Sequence, residues 1–269
     1  MRQVPRSMNV LEFQRRKDAQ SKITVVTCYD YPSALIVEES EIDVALVGDS
    51  VAMAVHGHDT TLTATIEMMA LHTKAVAKGL DKTFLVSDLP FLCHKEGMSA
   101  TVQYVRTLMQ AGAKAIKIEG GDDETCQTIQ HLVSAGVPIM GHIGLTPQSI
   151  HQLGGPVIQG KEVACQTRLI SEALKLQAAG CFALVIECVP TTLAELITEK
   201  LDIPTIGIGA GPKTDGQVLV WHDLLGLQSD FKPKFLKQYA EGKMQFLRAL
   251  NGYSQEVSAQ QFPSLEHSF

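Results

Sequence analysis

One layout recurs along this chain and restricts its folds to very few. A stretch with helical spacing is followed by an Ala-Gly pair and then by a short run of β-branched and aliphatic residues. The Ala-Gly pairs stand at 111–112, 135–136 and 179–180. Glycine supplies the left-handed residue that ends a helix, so each pair marks a helix stop with a strand starting shortly after it. The spacing predicts helices over 66–78, 100–111, 123–135 and 162–179. Their apolar residues fall three and four apart, as Val102, Val105 and Met109 do, and Ile129, Leu132 and Val133. Thr192 and Glu195 have the spacing of a capping box for a further helix. Strand candidates are 23–27, 44–48, 84–88, 115–119, 138–142, 183–187, 204–209 and, more weakly, 217–220. Short strands alternating with helices make a parallel sheet. Eight of them in a chain of 269 residues predict an α/β fold, a single (β/α)8 barrel domain over residues 1–269, with an open doubly wound sheet as the alternative. Residues 1–20 form an amphipathic N-terminal segment, and 232–250 a helix after the last strand.

Composition narrows the function. Apolar residues make up 45% and charged residues 19%, which supports a buried core and excludes a disordered chain. The formal charge of −6 repels phosphate backbones and anionic lipid, so neither nucleic acid nor a membrane surface is an expected partner. The cysteines, Cys28, Cys93, Cys126, Cys165, Cys181 and Cys188, are scattered and contain no CxxC pair, as in a chain that keeps its thiols free in a reducing compartment. No apolar leader opens the sequence and no stretch is apolar enough to span a bilayer, so a cytoplasmic location is expected.

Side chains alternate along a strand, which sorts the polar residues at the strand ends. In AIKIE, Ile116 and Ile118 must face the helices, so Lys117 and Glu119 point into the barrel near its C-terminal mouth. The same alternation turns Glu187 inward with Val185. Asp49 follows VALVG and Asp88 closes FLVSD, so acids stand at four separate strand ends. Any one of them alone reads equally as a helix cap or a loop ion pair. Together at one mouth they repel, one Lys does not neutralise them, and a hard divalent cation does. Oxygen ligands without a neighbouring Cys or His cluster favour Mg2+ over Zn2+.

Other signals are weaker. His142 ends a strand in GHIGLTPQS and suits either substrate binding or a structural hydrogen bond. His56 and His58 flank Gly57, and an HxH pair can hold a metal when a third ligand is close; the sequence places none beside them. Gly207, Gly209 and Gly211 lack the dinucleotide-binding spacing and read as tight packing at a strand end. Cys28 and Cys188 lie by strand ends without an obvious base and read as small buried residues. TDGQ at 214–217 reads as a turn.

These residues resemble a known family. VTCYDYPSA at 26–34, LVGDSVAMAVHGHDTTLTAT at 46–65, VSDLPF at 86–91, KIEGG at 117–121, GHIGLTPQS at 141–149, IECVP at 186–190, GIGAGPKTDGQVLVWHD at 207–223 and EHSF at 266–269 are similar, in order and nearly end to end, to the ketopantoate hydroxymethyltransferases. The resemblance implies a TIM barrel of the phosphoenolpyruvate/pyruvate-binding superfamily and a homodecamer. It also implies transfer of a hydroxymethyl group from 5,10-methylenetetrahydrofolate to 3-methyl-2-oxobutanoate, the first committed step of pantothenate synthesis. It implies Mg2+ at Asp49, Asp88 and Glu119, contacts to the oxoacid from Ser50 and Lys117, and Glu187 as proton acceptor. The competing expectations are a folate-independent, Mg2+-dependent 2-oxoacid lyase of the same superfamily and a non-catalytic oxoacid-binding barrel.

Overall fold

The computed structural model describes residues 7–228 and 233–269. Eight parallel strands follow one another around a closed barrel: β1 (Ile23–Thr27), β2 (Val44–Val47), β3 (Phe84–Asp88), β4 (Ala115–Glu119), β5 (Ile139–Gly144), β6 (Ala183–Glu187), β7 (Thr205–Ile208) and β8 (Gly216–Leu219). Pairing of β8 back onto β1, Val218 opposite Val25, closes the ring and removes the open-sheet alternative. The helices are α1 (Val10–Asp18), α2 (Tyr31–Glu39), α3 (Val51–Ala54), α4 (Ile66–Ala77), α5 (Met98–Ala111), α6 (Asp123–Ser134), α7 (Val163–Ala178) and α8 (Thr191–Lys200). The Ala-Gly stops hold: Gly112, Gly136 and Gly180 have φ of +118°, +90° and +98°, the left-handed region that a Cβ disfavours.

Alternate residues of the strands fill the barrel. Val25, Val44, Val86, Ala115, Met140 and Val185 belong to one buried cluster, each separated by an outward residue from the next inward one. The N-terminal end is plugged by α1, which Asn9 caps by accepting from the backbone N–H of Leu11 and Glu12 at 3.0 and 3.1 Å. Its Phe13 is fully buried edge-on between Phe84 and Phe182, with ring centres 5.5 and 4.9 Å away. With one end sealed by aromatic rings, polar side chains are left to the other.

Two compact units divide the described chain, the barrel ending at Leu219 and a second unit beginning at Val220. The second holds α9 (Trp221–Leu224) and α10 (Gly242–Ser258). The helix expected over 232–250 is therefore displaced toward the C-terminus. Residues 233–241 make only turns and bends, and Gly242, whose missing Cβ leaves room for the Leu225 carbonyl, opens the helix; residue 232 lies outside the described residues.

Two smaller expectations are also corrected. Thr192 caps nothing, because α8 starts one residue before it and its first turn closes on the Pro190 carbonyl, which accepts from Leu193 and Ala194 at 3.0 Å. Glu195 instead pairs with Lys213 at 3.1 Å. Of TDGQ, only Thr214 and Asp215 bend, while Gly216 and Gln217 already belong to β8. No described helix is long and apolar enough to cross a membrane.

Candidate active site

Strand register sets the polar ring. Asp88 lies opposite Lys117, Glu119 opposite His142, and Gly144 opposite Glu187, so four adjacent strands deliver five inward polar groups to one rim. Asp49 comes from the turn after β2. There the inward position is taken by Gly48, and a Cβ on it would stand 2.8 Å from Ser50 Oγ and 3.5 Å from Asp88 Oδ2, so its absence leaves these groups their space.

Lys117 Nζ sits between Asp88 Oδ1 at 3.3 Å and Glu119 Oε1 at 3.5 Å, and 3.1 Å from His142 Nδ1. The His142 ring spans two acids, with Nδ1 3.4 Å from Glu119 Oε1 and Nε2 3.3 Å from Glu187 Oε2. Asp88 Oδ2 accepts the backbone N–H of Asp49 at 3.0 Å. Ser50 Oγ lies 2.8 Å from the hydroxyl of Tyr29, a fully buried side chain. Among the acids of the rim Glu187 is the most open, its side chain 16% exposed against 3% for Asp88 and 4% for Glu119, so it is the one a substrate can reach directly.

The electrostatics follow from burial and crowding. Burial, then the charges of Asp88 and Glu119, push Asp49 well above the usual carboxylate range. Burial also raises Asp88, and Lys117 only partly offsets it. Burial acts on Glu119 in the same sense, but Lys117 and His142 outweigh it and bring that carboxyl down to about 2. Burial and Lys117 press the His142 imidazole toward neutrality, and the flanking Glu119 and Glu187 overcome them, raising it to about 9.

Gln148 had no signal in the sequence beyond its place in GLTPQS, yet it joins three parts of the site. Its Nε2 donates to Asp49 Oδ2 and to the Leu89 carbonyl, both at 2.9 Å, and its backbone N–H donates to Glu119 Oε2 at 3.0 Å. A short 3-10 turn, Pro147–Ser149, holds it there. Tyr29 was equally silent. Neither residue is charged, and only the fold brings them beside acids far off in sequence.

Two of the site's carboxylate oxygens, Asp88 Oδ1 and Glu119 Oε1, are buried without a partner in hydrogen-bonding geometry. Such oxygens are costly unless a cation takes them up. The donor set, carboxylates with no thiolate, suits a hard divalent ion. Among the described residues no three His, Cys, Asp or Glu side chains are already gathered around one metal position, and Lys117 is the cation that lies within 3.5 Å of both oxygens.

The remaining sequence candidates lie outside this ring. Cys28 and Cys188 are free thiols pushed up to about 12 by burial, which makes them poor nucleophiles. Gly207 and Gly211 pack against Thr214 and Thr191 with no room for a Cβ. His56 and His58 stand on the loop after α3.

A closed parallel barrel with charged groups convergent on the carboxyl ends of its strands is the architecture of a barrel enzyme. Its fold matches phosphoenolpyruvate phosphomutase from Streptomyces platensis subsp. rosaceus with a TM-score of 0.62, 13% identity and coverage of 97% of this chain and 91% of that one. It also matches 2,3-dimethylmalate lyase, a member of the PEP mutase/isocitrate lyase superfamily, with a TM-score of 0.59, 13% identity and coverage of 97% and 91%. At this identity the likeness concerns the fold.

The sequence carries the assignment further. A family model of ketopantoate hydroxymethyltransferase matches residues 7–265. A 3-methyl-2-oxobutanoate hydroxymethyltransferase of Legionella pneumophila (strain Paris) is 63% identical over 262 residues, 97% of this chain and 100% of that protein. Another, from Coxiella burnetii (strain CbuG_Q212), is 50% identical over 260 residues, covering 97% and 98%. The chain belongs to the ketopantoate hydroxymethyltransferase family and is an enzyme of that family.

Proposed function

We propose that this chain transfers a hydroxymethyl group from 5,10-methylenetetrahydrofolate to 3-methyl-2-oxobutanoate, giving 2-dehydropantoate in the first committed step of pantothenate biosynthesis. The observation that carries the reading is the juxtaposition of Glu187, the most open acid of the rim, with the Lys117–His142 pair in a chain of this family.

A base, an anion-binding cation and a positioned hydroxyl are what carbon–carbon bond formation next to a keto acid requires. Lys117 Nζ, held cationic by the surrounding carboxylates, supplies positive charge for the substrate carboxylate or the enolate oxygen. Ser50, fixed by Tyr29, offers a hydrogen bond that sets the orientation of the oxoacid. Glu187 takes the C3 proton, and the resulting carbanion attacks the methylene carbon of the folate as one C–N bond to that carbon opens; water then supplies the hydroxyl as the second C–N bond breaks, and tetrahydrofolate leaves with the protons on its nitrogens. His142 Nε2, 3.3 Å from Glu187 Oε2, orients that carboxylate by ion pairing.

Asp49, Asp88 and Glu119 are the residues to hold a divalent cation, read as Mg2+ from the oxygen donors and the two orphaned oxygens. When bound, Mg2+ polarises the keto group and lowers the acidity barrier at C3. The same reading makes the protein a cytoplasmic homodecamer; light scattering on the purified protein tests the assembly.

The test of the reaction is proton NMR of the purified protein with Mg2+, 3-methyl-2-oxobutanoate and 5,10-methylenetetrahydrofolate, with and without chelator. Metal-dependent appearance of 2-dehydropantoate is the expected result. Turnover of the oxoacid that ignores folate points to a lyase, and oxoacid binding without C3 exchange points to a binding barrel; either overturns the proposal.

A further inference from the structure

The chain carries a second cluster of ligating side chains, which shares no residue with the acids of the rim. It begins where α3 ends. Gly57, with φ +71° and open space around it, turns the chain, and the backbone N–H groups on either side bond back into α3, His56 to the Val51 carbonyl at 3.2 Å and His58 to the Ala52 carbonyl at 3.0 Å. This pinned turn holds both imidazoles on one exposed knuckle. From α4, His72 comes to meet them: His56 Nε2 and His72 Nε2 are 2.9 Å apart, and the rings of His56 and His58 are stacked with centres at 6.4 Å. The partner absent beside the HxH pair in sequence is thus supplied by the fold.

We propose that His56, His72 and His58 form a binding site for a borderline divalent metal ion of the Zn2+ class, separate from the acidic site. A backbone contact fixes the tautomer of His72. His72 Nδ1 lies 2.5 Å from the Tyr29 carbonyl oxygen, and a carbonyl only accepts, so Nδ1 carries the proton and Nε2 presents its lone pair. Holding an imidazole by its second nitrogen against a backbone carbonyl is the arrangement that orients metal-ligating histidines. Without metal, His56 Nε2–H donates to that lone pair. With metal, the His56 proton passes through solvent to Nδ1 and Nε2 ligates, so the exchange releases no net proton.

The distances fit a tetrahedral ion with little movement. For Zn–N bonds of about 2.0–2.1 Å, two ligating nitrogens sit about 3.3 Å apart and their ring centres about 5.2 Å apart. The His56 and His72 nitrogens, at 2.9 Å, need to open by only a few tenths of an ångström, and their ring centres already stand at 5.2 Å. His58 is exposed and its ring lies about 1 Å beyond the ligating separation. Among the described residues no three such side chains are preassembled around a metal position, so His58 swings in as the ion binds. Imidazole nitrogens select Zn2+ or Co2+ and reject Mg2+, which keeps this site chemically distinct from the carboxylates.

The place of the site gives it a consequence. Tyr29 is held by His72 at its carbonyl and holds Ser50 by its hydroxyl at 2.8 Å. An ion fixing His72 therefore stiffens the segment that positions Ser50. This consequence rests on the oxoacid reading above; the metal site does not.

The experiment is a Co2+ titration of the full chain in excess Mg2+, followed by the visible absorption of tetrahedral cobalt. One equivalent per chain is expected, displaced by Zn2+. His56→Gln, an exposed substitution checked for folding by circular dichroism, is expected to weaken Co2+ binding roughly tenfold or more, while its oxoacid C3 exchange with Mg2+ and no Co2+ or Zn2+ stays at the unsubstituted rate. A cobalt spectrum and affinity unchanged in His56→Gln, or cobalt displaced by Mg2+, overturns the site. Loss of C3 exchange in every variant and in the parent fails the oxoacid reading alone and leaves the cobalt result standing.

Discussion

His142 Nε2 lies 3.3 Å from Glu187 Oε2 across the β5–β6 ladder, with the opposite ring nitrogen 3.4 Å from Glu119. One imidazole thus ties the open acid of the rim to a fully buried one. The pairing separates their roles: Glu119 is locked among Lys117, His142 and the Gln148 backbone, while Glu187 keeps a free approach to the mouth.

Glu187→Gln preserves the shape of the side chain and removes its basicity. Exchange of the C3 proton of 3-methyl-2-oxobutanoate into deuterated water is expected to slow by roughly 10²–10⁴-fold, while oxoacid binding by calorimetry persists. Normal exchange in this variant removes Glu187 from the role of base.

Gln148→Glu turns a donor into an acceptor opposite Asp49 Oδ2 and the Leu89 carbonyl. A new negative charge beside carboxylates that hold a cation is expected to raise Mg2+ affinity, measured by calorimetry without substrate, while turnover falls because Asp49 loses the donor that fixes it. Gln148→Met keeps the volume and loses the hydrogen bonds without adding charge, and is expected to lower Mg2+ affinity and turnover together. Equal metal affinity in all three proteins rules out Gln148 as the residue that positions Asp49.

Phe13→Ala empties the plug at the closed end of the barrel. A fully buried aromatic ring in edge contact with Phe84 and Phe182 is expected to cost about 3–5 kcal/mol on removal. Urea denaturation reads the loss. The rim residues lie at the opposite end, so activity per folded molecule is expected to hold.

Asp122 caps α6, accepting from the Thr125 backbone at 3.1 Å, and pairs with Lys95 at 2.7 Å. Burial is the largest single influence and raises its carboxyl, but the bonds from Lys95 and Thr125 together outweigh it and hold it far below the usual carboxylate range. A group depressed on folding stabilises above its unfolded pKa, about 3.9, and loses that contribution as pH falls through the folded value. Asp122→Ala is therefore expected to cost about 1 kcal/mol at pH 7. Thermal melts of the two proteins are expected to converge as pH drops below about 4; a gap that stays constant to strongly acid pH contradicts the ion-pair account.

The elements were legible because each is specified locally. Ala-Gly stops, aliphatic runs and period-two alternation place Lys117, Glu119 and Glu187 inside the barrel, since the apolar residues between them have to meet the helices. The inward positions of Asp88, Glu119 and Glu187 follow from the same alternation and from the closing of strands into a barrel, whereas Asp49 comes from the turn after β2, where alternation turns Gly48 inward. Thr192 shows where local pattern fails: the capping-box spacing is present, but the turn leaving β6 already starts the helix on Pro190.

Everything that depends on two segments distant in sequence waited for the structure. Gln148 reaches Asp49 across 99 positions, and His72 reaches Tyr29 across 43. An amide or an imidazole carries no periodic signature that announces its partner, because a hydrogen bond is satisfied by whichever group the packed chain brings within reach. Alternation along the chain thus determined which residues face the barrel interior, and closure of the barrel decided which of them touch.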